Sequence, residues 1–559
     1  MRKIKLLLAA MAMMTVGVVM TACGGGSETA IHVAPADGEP GGDGTAENPY
    51  TSMELAAEAV EPGTTVVMHG GEYAPFVIDS AWSGTAKQPV TITAAEGEDV
   101  IVKAEAKGDG DAIGIFMVNV DNITLDGIEV IGGTHGIYYE SNSERGDAPL
   151  ENITISNCTV HEITGTHGIC VYACNDLAPV KNLSMIGCEV YNCRCDSSES
   201  TVFNGNIDGF TIAENVIHDN NNIGIDMIGF EGNAKHPEGY DGNENDVDFV
   251  RNGVCRDNVV YNISAFDNEA YNEEGEYDLC ADGIYVDGGQ DIEIFNNFIY
   301  NCDIGIEIAT EHSPEDNELF KVSGMNVHDN VIAGCMGWCG LCFGGYDYDL
   351  GFTEDCDIHN NTFVDNDSQI GIQRSKNNKV HNNLFVGSDS VYDVNTDIAE
   401  GDIDNDLSGN IEVADDQMDE YLDGFASKDK DNGSAFTPDQ KWIDLYDAYC
   451  SDGQKGIKAA EECLAGIVGD GIKASDLADY DNNVEAYLNA KLAEAGMDNA
   501  SVQVMSTDSE FVDVSRLAGN GTVKVEALND NVNLGLHLRY KYGDNTWSNA
   551  WVQDVTLVK

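Results

Sequence analysis

The sequence predicts an all-β solenoid, a stack of coils built from short strands, because one pattern recurs at a regular spacing. Between Asn122 and Phe385, a short apolar strand, a turn residue and a second short strand appear nine times. The step between copies is about 22 to 43 residues, the range expected of solenoid repeats. The copies read ITLDGIEV, ITISNCTV, LSMIGCEV, FTIAENVI, GVCRDNVV, IEIFNNFI, MNVHDNVI, CDIHNNTF and NKVHNNLF. Their turn residues are Gly127, Cys158, Cys188, Asn215, Asn258, Asn297, Asn330, Asn361 and Asn383.

Each copy alternates apolar and polar residues, so one face of every strand should point inward. A single coil cannot bury that face, and stacking closes the core. We therefore expect the Asn and Cys turn residues to stack in an internal ladder. The outer flanks of such a stack are long and flat, a shape suited to an extended polymer.

The segment from Ile31 to about Val102 predicts an N-terminal cap, with a short amphipathic helix at Met53–Val60 and a buried strand at Thr65–Met68. Pro62-Gly63 and Gly70-Gly71 mark turns. This segment resembles the N-terminal cap of right-handed parallel β-helix proteins, the pectate-lyase-like superfamily. Together with the repeats, the resemblance covers residues 31–390. It implies a right-handed parallel β-helix solenoid, a fold that hosts lyases, hydrolases, epimerases and binding proteins.

Three regions are predicted along the chain. Residues 1–29 read as a signal peptide and leader, with a basic MRKIK, an apolar stretch and Cys23 before three glycines, and this resembles a bacterial lipoprotein cleavage site. The expected product is lipidated on Cys23 and held at the extracellular face of a bacterial membrane; plain secretion is the alternative. Residues 30–390 form the β-helix. Residues 391–559 are interpreted as an acidic linker, a C-terminal helical insertion and a capping segment, since WIDLYDAYC, GIKAAEECLAGIV and NVEAYLNAKLAEAG have helical spacing.

The charge restricts the partners. The 559 residues include 28 basic and 98 acidic ones, a formal net charge of −70. This excludes nucleic acid and an anionic membrane surface as partners, leaving the membrane only through the lipid anchor. It also disfavours a strongly anionic polymer such as polygalacturonate, unless bound cations bridge the two. The expected partner is a polysaccharide or oligosaccharide.

The sixteen cysteines do not form an obvious disulfide framework. Cys158 and Cys188 occupy the ladder slot that asparagine fills in later coils, which favours buried thiols stacked in the core. Cys193/Cys195 and Cys335/Cys339/Cys342 lack a matching histidine pattern, so a zinc site is the weaker interpretation.

Two long insertions, at Phe230–Gly253 and Ile263–Gly283, separate neighbouring coils. Loops that cluster in this way usually build a site on one flank. Their aromatic residues, Phe230 and Tyr240 among them, either stack on sugar rings or fix the loops in place.

A column of outward residues carries the candidate chemistry. Several coils begin a strand with Gly and an aliphatic residue, and the next residue should point outward. The predicted column is Asp226, Tyr285, Glu307, Cys342 and Gln373. Asp287 lies two residues beyond Tyr285, on the strand next to Glu307. Adjacent strands are about 4.8 Å apart and diagonal β-carbons about 7–8 Å, so the two carboxyl groups can converge to about 5–6 Å. This spacing suits retaining glycoside hydrolysis by a nucleophile and an acid/base.

The words GIYVDGG (Gly283–Gly289) and DIGIEIATEH (Asp303–His312) resemble the catalytic coils of the β-xylosidase family with a β-helix core. The resemblance implies Asp287 as nucleophile and Glu307 as acid/base. This chain departs from the family pattern at Gly288-Gly289, after the Asp, and at Thr310-Glu311, before His312. β-Helix hydrolases of the lacto-N-biosidase type also use paired acids.

Further residues are predicted to contact the substrate, as follows: Asp226, Glu231, Asp282, Tyr285, Glu311, His312, Tyr346 and Asp347. Asp226, Asp282 and Glu231 could bind sugar hydroxyls or Ca²⁺, although no cofactor is required. The rival classes are a polysaccharide lyase, which needs a base and charge neutralisation, and a non-catalytic glycan-binding surface protein. The nearby cations are Lys235, Arg251, Arg256 and Arg374.

Overall fold

The computed structural model describes most of the chain from Thr29 onward. The described residues are 29–35, 41–105, 111–271, 278–345, 350–387, 390–395, 398, 402–413, 455–469, 471–507, 511–513, 522–523, 531–542, 551–553 and 555–558. They divide into two compact units: a β-helix within residues 19–263 and 280–438, and a second unit within residues 264–279 and 439–559.

The first unit is a right-handed parallel β-helix of three long sheets, as the repeats predict. Sheet 1 has fifteen strands. They are Thr29–Val33, Thr64–Met68, Val90–Ala94, Ile123–Asp126, Leu150–Ser156, Val180–Ile186, Asp208–Ala213, Arg251–Arg256, Glu293–Phe295, Val322–Ser323, Asn326–His328, Thr353–Glu354, Asp357–His359, Ser375–His381 and Ile403–Asp406.

Sheet 2, which carries the candidate site, has eleven strands. They are Phe76–Ile78, Ile113–Val118, His135–Ser141, His167–Ala173, Thr201–Gly205, Ile225–Ile228, Asp282–Asp287, Ile304–Ala309, Cys339–Gly344, Ser368–Ile372 and Ser390–Val394.

Sheet 3 has twelve strands. They are Gly71–Tyr73, Val100–Lys103, Glu129–Ile131, Thr159–His161, Glu189–Tyr191, Val216–Asn220, Val259–Ile263, Phe298–Tyr300, Val331–Ala333, Thr362–Val364, Leu384–Val386 and Ile411–Val413. Most coils contribute one strand to each sheet, and two coils place two short strands in sheet 1, Val322–Ser323 with Asn326–His328 and Thr353–Glu354 with Asp357–His359. The inward side chains of all three sheets fill a common core.

The asparagine ladder is confirmed. The buried side-chain amide of Asn297 donates to the Oδ1 of Asn330 at 2.9 Å, and that of Asn330 donates to the Oδ1 of Asn361 at 2.9 Å. Each Oδ1 also accepts the backbone N–H of the preceding ladder residue, as that of Asn330 does from Asn297 at 2.9 Å. The ladder thus satisfies backbone groups at a tight turn inside the core. It runs through Asn215, Asn258, Asn297, Asn330, Asn361, Asn383 and Asn410.

Cysteines close the ladder at its N-terminal side. Cys158 and Cys188 are buried, and the backbone N–H of Cys188 donates to the Oδ1 of Asn215 at 2.9 Å. The described cysteines are free thiols. Among the described residues, no group of three or more His, Cys, Asp or Glu side chains is placed to hold a metal ion. Cys158 and Cys188 pack in the core as small apolar side chains.

The β-helix continues beyond its expected end. The sequence pattern places that end at residue 390, whereas the parallel strands run on to Val413. Asn410 extends the ladder there, and its Oδ1 accepts the Asn383 side-chain amide at 3.1 Å. This last coil lacks the strong apolar alternation of the others, which is why sequence reading passes over it.

The helices of the β-helix unit are short. Among the described residues of this unit they are one α-helix, Met53–Ala57, and the 3₁₀ turns Ser80–Trp82 and Ser143–Arg145. The first lies in the predicted N-terminal cap, where Met53 and Ala56 are buried.

The second unit mixes helices and short strands around its own apolar core. Its α-helices are Lys455–Val468, Ala474–Leu477 and Val484–Glu494, with 3₁₀ turns at Ala265–Asp267, Glu269–Tyr271 and Ala478–Tyr480. Its strands are Ile472–Lys473, Ala500–Thr507, Val512–Asp513, Thr522–Val523, Val532–Asn533, Leu536–Tyr542, Trp551–Gln553 and Thr556–Val558. Leu464, Leu488 and Leu538 are buried together in its core. None of the helices that the structure describes combines the length and the apolar character needed to span a membrane.

Candidate active site

The outer face of sheet 2 gathers a group of acidic side chains in the middle of the β-helix. Asp226 pairs in register with Tyr285, Tyr285 with Glu307, and Glu307 with Cys342. Asp287 pairs with Ala309, two residues further along the strands. The expected outward column is thus present from Asp226 to Cys342, with Asp287 diagonal to Glu307 across adjacent strands.

One member of the predicted column stands elsewhere. Cys342 pairs with Gly371, so Gln373 is shifted by two residues from its expected position. The repeat pattern aligns Gly371-Ile372-Gln373 with Gly340-Leu341-Cys342 and so predicts that Ile372 is the strand neighbour of Leu341. In the structure the neighbour of Leu341 is Ile370.

Glu307 and Asp282 form a hydrogen-bonded carboxyl pair. Both are buried, with exposed fractions of 7% and 1%. Burial raises the pKa of the Glu307 carboxyl to about 7, and hydrogen bonds from Asp282 and from the Cys342 thiol partly oppose this. Burial, followed by the charge of Glu307, raises the pKa of Asp282 well above its usual range. Asp282 is therefore the protonated partner, and its O–H donates to the Glu307 carboxylate.

Asp287 lies in a different setting. Burial and the charge of Glu311 raise its pKa well above its usual range. Two features act in the other direction: the backbone N–H of Glu311 donates to Asp287 Oδ1 at 3.1 Å, and the charge of His312 favours the ionised carboxylate. Asp287 thus has a donor and a cation that Asp282 lacks among its described partners.

Gly288 explains one departure from the β-xylosidase pattern. Its φ is +77°, a conformation that favours glycine. A β-carbon at this position would approach the Phe230 ring to 2.8 Å. A bulky residue after Asp287 is therefore excluded in this chain.

Two loops place further charged groups beside the strands. His312 Nε2 contacts Glu231 Oε1 at 3.3 Å, and this hydrogen bond raises the pKa of His312. The Glu231 loop is held by buried Asp248, which accepts the backbone N–H groups of Gly232 and Ala234, each at 2.7 Å. Burial, followed by the charge of nearby Glu231, raises the pKa of Glu311.

The loop aromatics differ in their contacts. Phe230 is buried and packs on Phe249 and Phe320, with ring centroids 5.2 and 5.0 Å away. It therefore fixes its loop in place. Tyr240 stacks on His236 with centroids 3.7 Å apart and stays 42% exposed.

The structure adds two site residues that sequence reasoning missed, Glu199 and His167. Burial raises the pKa of Glu199 to about 7, and the charges of Glu231 and Glu311 add to this. Burial, followed by the charge of Glu199, raises the pKa of Asp226. His167 Nδ1 lies 3.6 Å from the Glu199 carboxylate. Each of the two residues lies at or just before the start of a sheet 2 strand, at Glu199-Ser200 and His167-Gly168, and only the repeat alignment could have flagged them.

Basic side chains near the site are engaged with other partners. Lys235 pairs with Glu244 at 3.3 Å, Arg256 with Asp257 at 2.5 Å, and Arg374 with Glu315. Arg251 donates to the Phe249 carbonyl at 2.9 Å and to Asn206.

The predicted residues Tyr346, Asp347 and Cys23 lie outside the described residues. Within the described residues, Asp226, Asp282 and Glu231 are not part of a group of three or more His, Cys, Asp or Glu side chains placed to hold a metal ion.

Comparison with known proteins agrees with this architecture. The sequence matches the model "Pel9A-like, right handed beta helix region" over residues 31–278. It is 33% identical to YwoF, an uncharacterized protein of Bacillus subtilis, over 363 residues, which cover 62% of this chain and 70% of YwoF. It is 32% identical to the pectate lyase PEL9 of Emericella nidulans over 139 residues, 23% of this chain and 33% of PEL9.

Among solved structures, the chain is matched at low sequence identity to the GH136 lacto-N-biosidase from Eubacterium ramulus. The two are 14% identical, with a TM-score of 0.48, and the match covers 69% of this chain and 68% of that one.

Proposed function

Because this chain belongs to the family of Pel9A-like right-handed β-helix proteins, we propose that it is a carbohydrate-active enzyme that works on the outer face of sheet 2. More narrowly, we propose a retaining glycoside hydrolase. The observation that supports this best is the buried Glu307 carboxyl, with a pKa of about 7, diagonal to Asp287 on the adjacent strand.

The proposed reaction has two steps. The reaction requires an ionised Asp287, and the Glu311 N–H and the charge of His312 are the groups that favour this form. The Asp287 carboxylate attacks the anomeric carbon while Glu307 gives its proton to the departing oxygen, so the glycosidic C–O bond breaks as a C–O bond to Asp287 forms. Glu307, now ionised, takes a proton from water, and that water displaces Asp287 from the sugar. A pKa of about 7 suits a group that alternates between acid and base near neutral pH.

We expect the two carboxylate variants to differ. Asp287→Ala and Glu307→Ala should each lower kcat/KM by about 10²–10⁴-fold on a natural linkage, because each group acts in the transition state. Glu307→Ala should regain rate on aryl glycosides with activated leaving groups, which need no proton, whereas Asp287→Ala should not. NMR of the first-formed anomer should show retention.

The control is Glu412→Ala, which removes an exposed carboxylate from a sheet 3 strand. It should leave the rate unchanged. Equal loss in all three variants, or full activity of Asp287→Ala, would contradict the assignment. If the first-formed anomer is inverted, the protein is still a hydrolase, but Asp287 then acts as a general base that activates water and not as the nucleophile.

A polysaccharide lyase is the second candidate, because PEL9, similar over part of the β-helix, is a pectate lyase by name. A lyase forms an unsaturated product that absorbs in the ultraviolet, and a hydrolase does not. Incubation with polygalacturonate, followed by absorbance and reducing-end assays, separates the two. The pairing of the nearby basic side chains with other partners supports the hydrolase.

A further inference from the structure

Three partly exposed aromatic rings on sheet 2 lie along the coils that precede the acidic group. They are Phe116, Tyr138 and Tyr172, and we call them the aromatic platform. Phe116 and Tyr138 pair in register on neighbouring strands, with ring centroids 5.3 Å apart. Tyr172 meets Tyr138 edge-on with centroids 5.7 Å apart.

The aromatic platform is continuous with the candidate active site. The Tyr172 hydroxyl lies 3.0 Å from His167 Nε2, and His167 Nδ1 lies 3.6 Å from the Glu199 carboxylate. Buried Val202 and Ile228 fill the space between the tyrosines and Asp226 on the same face. Four strand steps separate Phe116 from Asp226, a length of about 19 Å at 4.8 Å per step.

The negative charge of this face disfavours anionic glycans and permits uncharged ones. Acidic side chains occupy it from Glu140 to Glu307, and the eleven strands of sheet 2 contain no lysine or arginine. A polyuronate would place its own carboxylates against this surface without cations to neutralise them. An uncharged sugar meets no such repulsion, and its C–H faces can rest on the half-buried rings while its hydroxyls reach the carboxylates.

We propose that the aromatic platform binds an uncharged oligosaccharide or polysaccharide, laid along sheet 2 from Phe116 to the acidic group. This inference rests on the proposed carbohydrate activity and specifies its substrate class. The ring of Tyr138, central to the platform, is the part expected to bind; its hydroxyl donates to Glu140 at 3.2 Å.

The test measures binding by calorimetry in an Asp287→Ala background, so that ligands stay intact. The probes are xylohexaose, cellohexaose and mannohexaose as neutral chains and hexagalacturonate as the charged one, each with Ca²⁺ and after chelation. We expect at least one neutral hexamer to bind more tightly than hexagalacturonate in both conditions. Added Tyr138→Ala should weaken that binding about tenfold, which corresponds to about 1.4 kcal/mol for the lost ring contact.

Two variants serve as controls. Tyr138→Phe keeps the ring and should keep the affinity. Tyr191→Ala removes a similar half-buried ring from sheet 3, where it stacks between His161 and His218 with centroids 4.7 and 5.0 Å away. Tyr191→Ala should leave binding unchanged. The comparison requires that Tyr138→Ala and Tyr191→Ala both retain the thermal midpoint of the parent protein.

Three results would overturn the inference: no neutral hexamer binds, hexagalacturonate binds more tightly in either condition, or Tyr138→Ala binds as the parent does. The proposed function fails separately. Binding to the platform without sugar release by the unmodified protein would refute the enzyme and leave the platform. Sugar release with unchanged affinity in Tyr138→Ala would refute the platform and leave the enzyme.

Discussion

The hydrogen bond from Asp282 opposes the effect of burial on the pKa of Glu307. The Glu307 carboxylate accepts a hydrogen bond from the protonated Asp282, and this favours the ionised form of Glu307. Asp282 Oδ1 is buried and has no hydrogen-bond partner among the described residues. The hydrogen bond to Glu307 is therefore the contact through which the Asp282 carboxyl group is paired. Simple repulsion between two carboxylates would have the opposite effect on the Glu307 pKa.

The alkaline limb of the pH–rate profile should therefore move upward in Asp282→Ala. Glu307 must be protonated to act as the acid, so activity should fall as pH rises through about 7 in the unmodified protein. Loss of the Asp282 donor raises the Glu307 pKa and shifts the limb to higher pH. Asp282→Asn keeps an N–H donor and should shift it less. Profiles of kcat/KM measure this, and a limb that moves to lower pH in Asp282→Ala would contradict the pairing.

At the scale of elements, the ladder couples neighbouring coils. Asn330 makes four hydrogen bonds through its side chain: Nδ2 donates to Ile294 O and to Asn361, and Oδ1 accepts from the Asn297 backbone and side chain. All these groups are buried. An apolar residue here would leave several of them unpaired.

Replacing Asn330 by Leu should lower the free energy of unfolding by about 3 kcal/mol or more, because each unpaired buried group costs about 1–3 kcal/mol. Asn326→Leu is the matched control, since this half-buried Asn in the same coil lies outside the ladder. It should cost less than about 1 kcal/mol. Denaturant unfolding of both variants measures the difference, and similar costs at the two positions would show that the ladder is not a source of stability.

At the scale of the whole molecule, the acidic composition and the buried acidic group both make the folded protein more stable in a mildly acidic medium. Glu199 and Glu307 have pKa values of about 7 in the folded protein, against a usual value of 4.5. Between these values the folded state binds more protons than the unfolded state, so the free energy of unfolding falls as pH rises. The net charge of −70 adds repulsion over the surface.

Thermal midpoints should consequently be higher near pH 5 than near pH 8, with the loss between about 4.5 and about 7. High salt should remove the surface part of this slope and leave the part due to buried carboxyls. The double variant Glu199→Gln/Glu307→Gln should reduce the slope that remains in high salt, and the buried carboxyls of Asp226, Asp282 and Asp287, whose pKa values are also raised, should supply the rest. If its slope equals that of the unmodified protein, the buried carboxyls do not produce the pH dependence.

We also propose that the protein is anchored to a bacterial membrane through lipid on Cys23. In cells fed a labelled fatty acid, the unmodified protein should carry the label, and Cys23→Ser should be unlabelled and released. Cys463→Ser, a change in the second unit, is the control and should stay labelled. Absence of label from the unmodified protein would leave plain secretion.

Sequence alone determined the β-helix and the pairing of its coils in the middle of the chain. The alternating strands and their Asn or Cys turn residues repeat locally, and stacking is the arrangement that buries them. The same periodicity put Asp287 and Glu307 on adjacent strands of one face, because the side-chain direction in a strand follows from residue parity.

Only the tertiary structure decided what surrounds those residues. The donation from Asp282 to Glu307, the approach of Glu199 to Asp226 and the contact of His312 with Glu231 join residues 25 to 81 positions apart in the chain, through coil stacking and loop placement. The shift of Gln373 by two residues and the continuation to Val413 also depend on backbone pairing that weak local patterns do not specify. Burial and pKa are properties of that packing, which is why the acid among several carboxyls emerges only when the coils are stacked.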